Sequence, residues 1–412
     1  MTTNSMVSEQ TLPGTWRNKA PMLLAVGFIC VLLSLGLCYF VGGDANRAIG
    51  FSVFFRSYLA NFMFCLTICL GALFFVMIQH VARAGWSATV RRLAELLANM
   101  IPWWLVLFVP ILAMVWFTDS PALYPWNAGS GNVSPLVEEK LRYLNPFWFT
   151  IRVLAYFTVW VVCAKWFLAQ SRRQDETGDA TITLRMQKWA GPGIIFSALA
   201  VNFGAFDIMM STDPEWFSTI YGVYVFAAGM LGFFATMIVL VSLLKRSDRL
   251  QREVNTEHVH DLAKFQFGFI VFWAYIAFSQ LLLYWYGNIP EETAWYHDRW
   301  GNGWQYVGLL LIVGHFALPF LATMSRASRR NQVWLAGWSG FILLMHWVDM
   351  MFLLLPTEDI HFSALLLIGH LVGWLGMVLL FSGLFMYRTG ETPLVALNDP
   401  WTPAALSYEV GP

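Results

Sequence analysis

Five ionisable side chains stand inside four long apolar runs: Asp207, His315, His346, Asp349 and His370, with His80 closing a fifth such run. Charges and imidazoles are expensive in hydrocarbon, so where they face a protein interior they mark function. His346 and Asp349 are three residues apart and share a helix face. At about 1.5 Å per helical residue, His346 lies roughly 14 Å, Asp349 roughly 9 Å and His370 roughly 11 Å below the outer ends of their runs. His315 lies about 17 Å down its own run and Asp207 only about 5 Å. A His/Asp/His cluster in the outer half binds and relays protons. Oxidation of a quinol requires such a cluster, with an acceptor for each hydroxyl and a path for the two protons that leave with the electrons. Each side chain also has a plainer explanation. A buried imidazole can bond a carbonyl of the next helix, and a carboxylate near a helix end can reach the outer interface.

The elements that carry these residues follow from composition. Of 412 residues, 58% are hydrophobic and 12% charged, about half the charged share of a soluble domain, which excludes a soluble fold. Lys plus Arg and Asp plus Glu are 25 each, so no basic surplus is left to hold nucleic acid. A bilayer core about 30 Å thick takes roughly 20 apolar residues in helix. Ten stretches qualify: 20–41, 57–82, 99–118, 147–168, 190–210, 217–244, 264–287, 304–325, 333–355 and 363–387. None alternates as a membrane β-barrel strand does. The expected fold is therefore an all-α integral membrane protein with a ten-helix domain over 20–387 and tails at 1–19 and 388–412.

With the N-terminus in the cytoplasm, Arg47, Arg56, Lys140, Arg142, Arg152 and Arg299 fall outside and the remaining 19 of the 25 cations inside. That bias puts both termini in the cytoplasm. The polar stretch up to Lys19 and the lack of a small-residue cleavage site make the first run a permanent span rather than a signal peptide. The outer loops are acidic (Asp213, Glu215; Glu291, Glu292, Asp298; Glu358, Asp359) and suit docking of extrinsic subunits.

Cys30, Cys38, Cys65, Cys69 and Cys163 all lie in apolar runs and none forms a CxxC pair, which argues against cluster or structural zinc ligation. Haem is a rival use for paired histidines, and Gly369 and Gly373 flank His370. An Asp one turn from His346 fits a proton relay better. The chain is therefore expected to carry no redox centre of its own, so electrons pass to a partner. Asn145-Pro146 and Asp213-Pro214 are each followed by interfacial aromatics. They read as matching N-cap and first-turn devices opening the fourth and sixth spans. A secondary transporter and a membrane scaffold are the competing classes.

Two stretches carry a family resemblance. Asn202–Gly222, through Gly204, Asp207, Asp213, Pro214 and Trp216, resembles the span-turn-span signature of the quinol-binding membrane subunits of alternative complex III. Asp261–Thr293, through Phe272, Trp273, Gln280, Tyr284, Trp285 and Pro290, resembles the smaller, ActF-like member of that complex's two paralogous subunits. The similarity extends over all ten spans. It implies the NrfD or polysulfide-reductase membrane-subunit fold, with two four-helix bundles plus a further helix pair. It also implies a bacterial inner-membrane complex that oxidises menaquinol or ubiquinol. The partners it implies are a paralogous NrfD-like subunit, an iron–sulfur subunit and c-type haem subunits, passing electrons to cytochrome c or a terminal oxidase. Only Asp207 falls within a matched stretch; His315, His346, Asp349 and His370 rest on depth alone.

Overall fold

The computed structural model describes residues 11–40, 47–118, 122–129, 131, 133–358 and 360–409. Among these, ten helices are long and apolar enough to cross a membrane: α1 (Gly14–Tyr39), α2 (Arg47–Val81), α3 (Gly85–Phe117), α4 (Pro146–Thr177), α5 (Thr181–Ile208), α6 (Tyr221–Arg246), α7 (Thr256–Gly287), α8 (Trp304–Thr323), α9 (Gln332–Leu354) and α10 (Ala364–Thr389). In lipid every backbone polar group must be satisfied within its own segment, and helices do this. Side chains set several starts: Asn145, Asn331 and Ser363 accept from the amides of Trp148, Trp334 and Leu366. Asp359 of the acidic outer loops lies outside the described residues.

Helices α2, α3, α4 and α5 pack as one four-helix bundle, and α6, α7, α8 and α9 as a second. The bundles meet where α2 packs on α6 and α9, and α5 on α6. Helix α2 is central, with 94% of its most apolar window buried. Small residues allow the closest crossings. A Cβ on Gly71 would lie 2.7 Å from the carbonyl oxygen of Gly229, and one on Gly229 2.9 Å from that of Thr67.

The further pair is α1 with α10, seated on α2. Gly27 faces Gly376, Ser34 faces Gly373 and Cys38 faces Gly369, so the two helices are antiparallel, and the start of α1 and the end of α10 lie at one end of the molecule. An ion pair there, Arg17 to Glu391 at 3.1 Å, joins the first turn of α1 to the segment after α10.

Two boundary expectations change. The third span begins well before residue 99, because Ala88–Ala98 is helical and buried throughout despite Arg91, Arg92 and Glu95. These charges neutralise one another and reach Asp175 and Asp399, so a hydropathy window underestimates how much of the segment is buried. The sixth span does not open at Asp213-Pro214. Those residues form a turn, and α6 starts at Tyr221 without a side-chain cap. The Asn145 device stands and its supposed twin does not.

Candidate functional site

Each helix of the second bundle sends one polar or aromatic group to a common centre. Asp349 of α9 is fully buried. It accepts from the Tyr224 hydroxyl of α6 at 2.5 Å and from the Trp273 indole Nε1 of α7 at 3.1 Å. The His315 ring of α8 lies flat on Trp273, with centroids 4.2 Å apart and planes 10° apart. His315 sits in a π-helical turn, Leu311–Ala317, a helix irregularity frequent at functional sites. Neither of its ring nitrogens meets a hydrogen-bond partner. Among the described residues no cation pairs with Asp349; its carboxyl is held by two neutral donors. Such a group can take up or release a proton without dragging a counter-ion with it.

His346 shares α9 with Asp349 but faces elsewhere. Its Nε2 lies 3.0 Å from Thr67 Oγ1 of α2. That hydroxyl already donates to the Met63 carbonyl at 2.8 Å, so it accepts from an Nε2–H, and Nδ1 is left without a partner. The ring occupies the space over Gly232 of α6, where a Cβ would come 2.8 Å from its Cδ2. Successive helix positions turn by about 100°, so residues three apart diverge by about 60°. That divergence aims His346 at the α2/α6 crossing and Asp349 into the second bundle.

His370 forms a third station. Its Nδ1 lies 2.6 Å from Ser57 Oγ of α2, and its ring stacks on Trp347 of α9 at 5.1 Å and 12°. Asn61 of α2 ties the group together by accepting from Trp347 Nε1 at 3.0 Å and donating to the His370 carbonyl at 3.2 Å. The single His/Asp/His cluster expected from depth is therefore three stations arranged around α9, and Asp349 makes no hydrogen bond to either histidine. The glycines beside His370 do not open a porphyrin-wide gap. Cβ atoms on Gly369 and Gly373 would meet Cys38 Sγ and Ser34 Oγ of α1 at 2.9 and 2.8 Å.

Asp207 belongs to a different environment. Its carboxylate accepts from Arg152 Nε at 2.8 Å and Nη2 at 3.0 Å, and from the Tyr156 hydroxyl at 2.7 Å. Arg152 also lies 3.6 Å above the Tyr143 ring. The partners of Asp207 come from α4 and the loop before it, and none is shared with the other stations. His80 is stacked on Phe167 of α4 at 5.5 Å and 22°, with Nε2 unpartnered.

The two buried aspartates occupy matching places. Each is on the last helix of its bundle, and each precedes a proline by seven residues, Pro214 and Pro356. Arg56 of α2 joins the two helix ends, donating to the carbonyls of Leu354 at 2.9 Å and Thr212 at 3.2 Å. Arg299 donates to those of Phe352 and Leu353 at 3.1 and 2.8 Å, so cations cap the otherwise orphaned carbonyls of α9.

Arg56 and Arg299 form part of the wall of a recess of about 640 Å³, together with Asp213, Glu215, Asp298 and Glu358. Burial lowers the Arg299 pKa to about 10, which leaves it cationic at neutral pH, and burial raises those of Asp213 and Asp298.

Sequence reasoning gave Tyr224, Trp273 and Trp347 no place in the site, because aromatics are too common in this chain, with 21 Trp, to mark a site by themselves. Ser57, Asn61 and Thr67 left a usable signal as polar residues along one apolar span. The chain matches no protein-family model and no curated protein.

Proposed function

We propose that this chain is the redox-silent membrane subunit of a bacterial respiratory quinol:cytochrome c (or quinol:acceptor) oxidoreductase, ActF-like in the NrfD sense. It works in the inner membrane beside a paralogous NrfD-like subunit, an iron–sulfur subunit and c-type cytochromes, with a terminal oxidase as one electron acceptor. Quinol, menaquinol or ubiquinol, is the reductant, and the iron–sulfur clusters and haems reside on the partners. The chain supports quinol oxidation by holding and moving protons.

The observation that carries this reading is the Asp349 carboxyl at the centre of four helices, held by a phenol and an indole and accompanied by a π-turn histidine. A pure scaffold gains little from a buried carboxyl without a counter-charge, since an apolar residue would pack there at lower cost. A transporter of the repeat type interrupts matching helices in its two halves. Here the irregular α8 corresponds by order to α4, which is a continuous helix from Pro146 to Thr177.

Mild-detergent purification of the tagged chain is expected to bring down iron–sulfur and c-haem polypeptides. In that complex Asp349→Asn is expected to lower coupled proton movement by a factor on the order of 10² with assembly intact. A haem-free monomer that moves solute in liposomes would replace the proposal with transport. An assembled variant with wild-type turnover and proton stoichiometry would leave only the scaffold.

A further inference from the structure

A second feature, independent of the reading above, lies at the end of the molecule where α1 begins and α10 ends. Seven cations at that end are already engaged. Arg17, Arg91, Arg92, Lys264 and Arg330 are in ion pairs. Lys245 and Arg329 donate to backbone carbonyls. Of the remaining cations, four gather in one place: Lys165, Arg172 and Arg173 of α4 and Arg388 of α10 line one groove of about 610 Å³, with a single carboxylate, Glu176. Among the described residues none of these four is in an ion pair. Two are held in place by uncharged neighbours: Arg172 donates to Thr392 Oγ1 at 2.6 Å, and Arg388 lies 5.6 Å above the Trp103 ring of α3.

The groove sits where α3 breaks at Asn99, between the ends of α4 and α10. Lys165 to Arg173 spans about 12 Å along α4, comparable to the depth of a headgroup layer. Below it the surface turns apolar. Trp103, Val106 and Val109 continue one stripe of α3, and Val162 continues the Lys165 stripe of α4; these side chains are 36%, 58%, 54% and 59% exposed.

We infer that this groove binds an anionic phospholipid of the diphosphatidyl (cardiolipin) type, with its two phosphates among the four cations and its acyl chains on the α3/α4 stripe. The match is one of charge and depth. Four cations against one carboxylate leave an unneutralised positive field at the interface, and basic pockets between membrane helices at this level hold such heads. An acidic peptide would satisfy the charge but would leave the apolar stripe below Lys165 without a partner.

The test is native mass spectrometry of the detergent-purified full chain after exchange into mixed cardiolipin and phosphatidylcholine, with melting temperature read in parallel. Wild-type protein is expected to retain cardiolipin over phosphatidylcholine and to melt higher with it. R172Q/R388Q is expected to lose retention roughly thirtyfold, from two removed phosphate contacts. R83Q/K188Q, at a separate basic recess lined by Arg83 and Lys188, is expected to retain it. Inorganic pyrophosphate is expected to give no matching protection. The inference is overturned if wild-type protein shows no preference for cardiolipin in either readout or if R172Q/R388Q retains it fully. Equal protection by pyrophosphate would overturn it too, as would R172Q/R388Q keeping its lipid while shedding a co-purifying polypeptide.

Discussion

Asp207 and Asp349 are the same residue type at matching positions of two bundles, yet their surroundings set them apart. Asp207 is neutralised by a bidentate arginine and two phenols, whereas Asp349 has a phenol and an indole alone. Breaking one half of a buried ion pair strands the other half. Asp207→Asn is therefore expected to cost about 3 kcal/mol, read as a lower melting temperature in detergent, with normal turnover in the molecules that stay folded. A lost turnover at unchanged melting temperature would instead make Asp207 part of the chemistry. The placement of Asp207 and Arg152 near matching ends of consecutive spans was legible in the sequence. The tyrosines that complete it were not, because nothing in a phenol's local sequence says which carboxylate it will meet.

Elements behave as their end and contact residues dictate. The glycines of α10 recur at 369, 373, 376 and 383, and each faces α1 at a distance that a larger side chain would close. Backbones can approach this closely only without Cβ atoms. Gly376→Val, whose Cβ alone would come 2.9 Å from the carbonyl oxygen of Gly27, is expected to cost about 2 kcal/mol and to separate the pair. A cysteine cross-link between α1 and α10 would report this, and unchanged cross-linking yield would show that the crossing tolerates the added volume. The same logic explains α3. Its polar first half is a buried helix because its charges find partners on other elements, which a hydropathy average over one segment has no means of registering.

At the scale of the whole molecule, the segment after α10 acts as a strap across the end where α1 begins and α10 ends. The Leu397 amide donates to Asp175 at 2.8 Å, Asp399 pairs with Arg91, and the Tyr408 hydroxyl donates to Asp261 at 2.7 Å. The strap therefore joins α3 and α4 of the first bundle to α7 of the second. Asp399→Asn leaves the buried Arg91 with only Glu95 at 3.8 Å. It is expected to weaken the strap by roughly 3 kcal/mol, seen as faster limited proteolysis of the tail. Cleavage at the wild-type rate would mean that the strap holds without this pair.

Ten helices, their approximate limits and the residues at membrane depth were readable from the chain alone, because the thickness of hydrocarbon sets a length and the cost of charge within it marks the exceptions. The division into two bundles and a pair was anticipated through resemblance rather than through physics, and helix packing then displayed it. Where His346, Asp349 and His370 point was settled only by tertiary structure. Sequence spacing gives the angle between two side chains on one helix, but the neighbour that meets each of them comes from a distant part of the chain. In this protein those neighbours, Thr67, Tyr224 and Ser57, lie on α2 and α6, the helices at the junction of the two bundles.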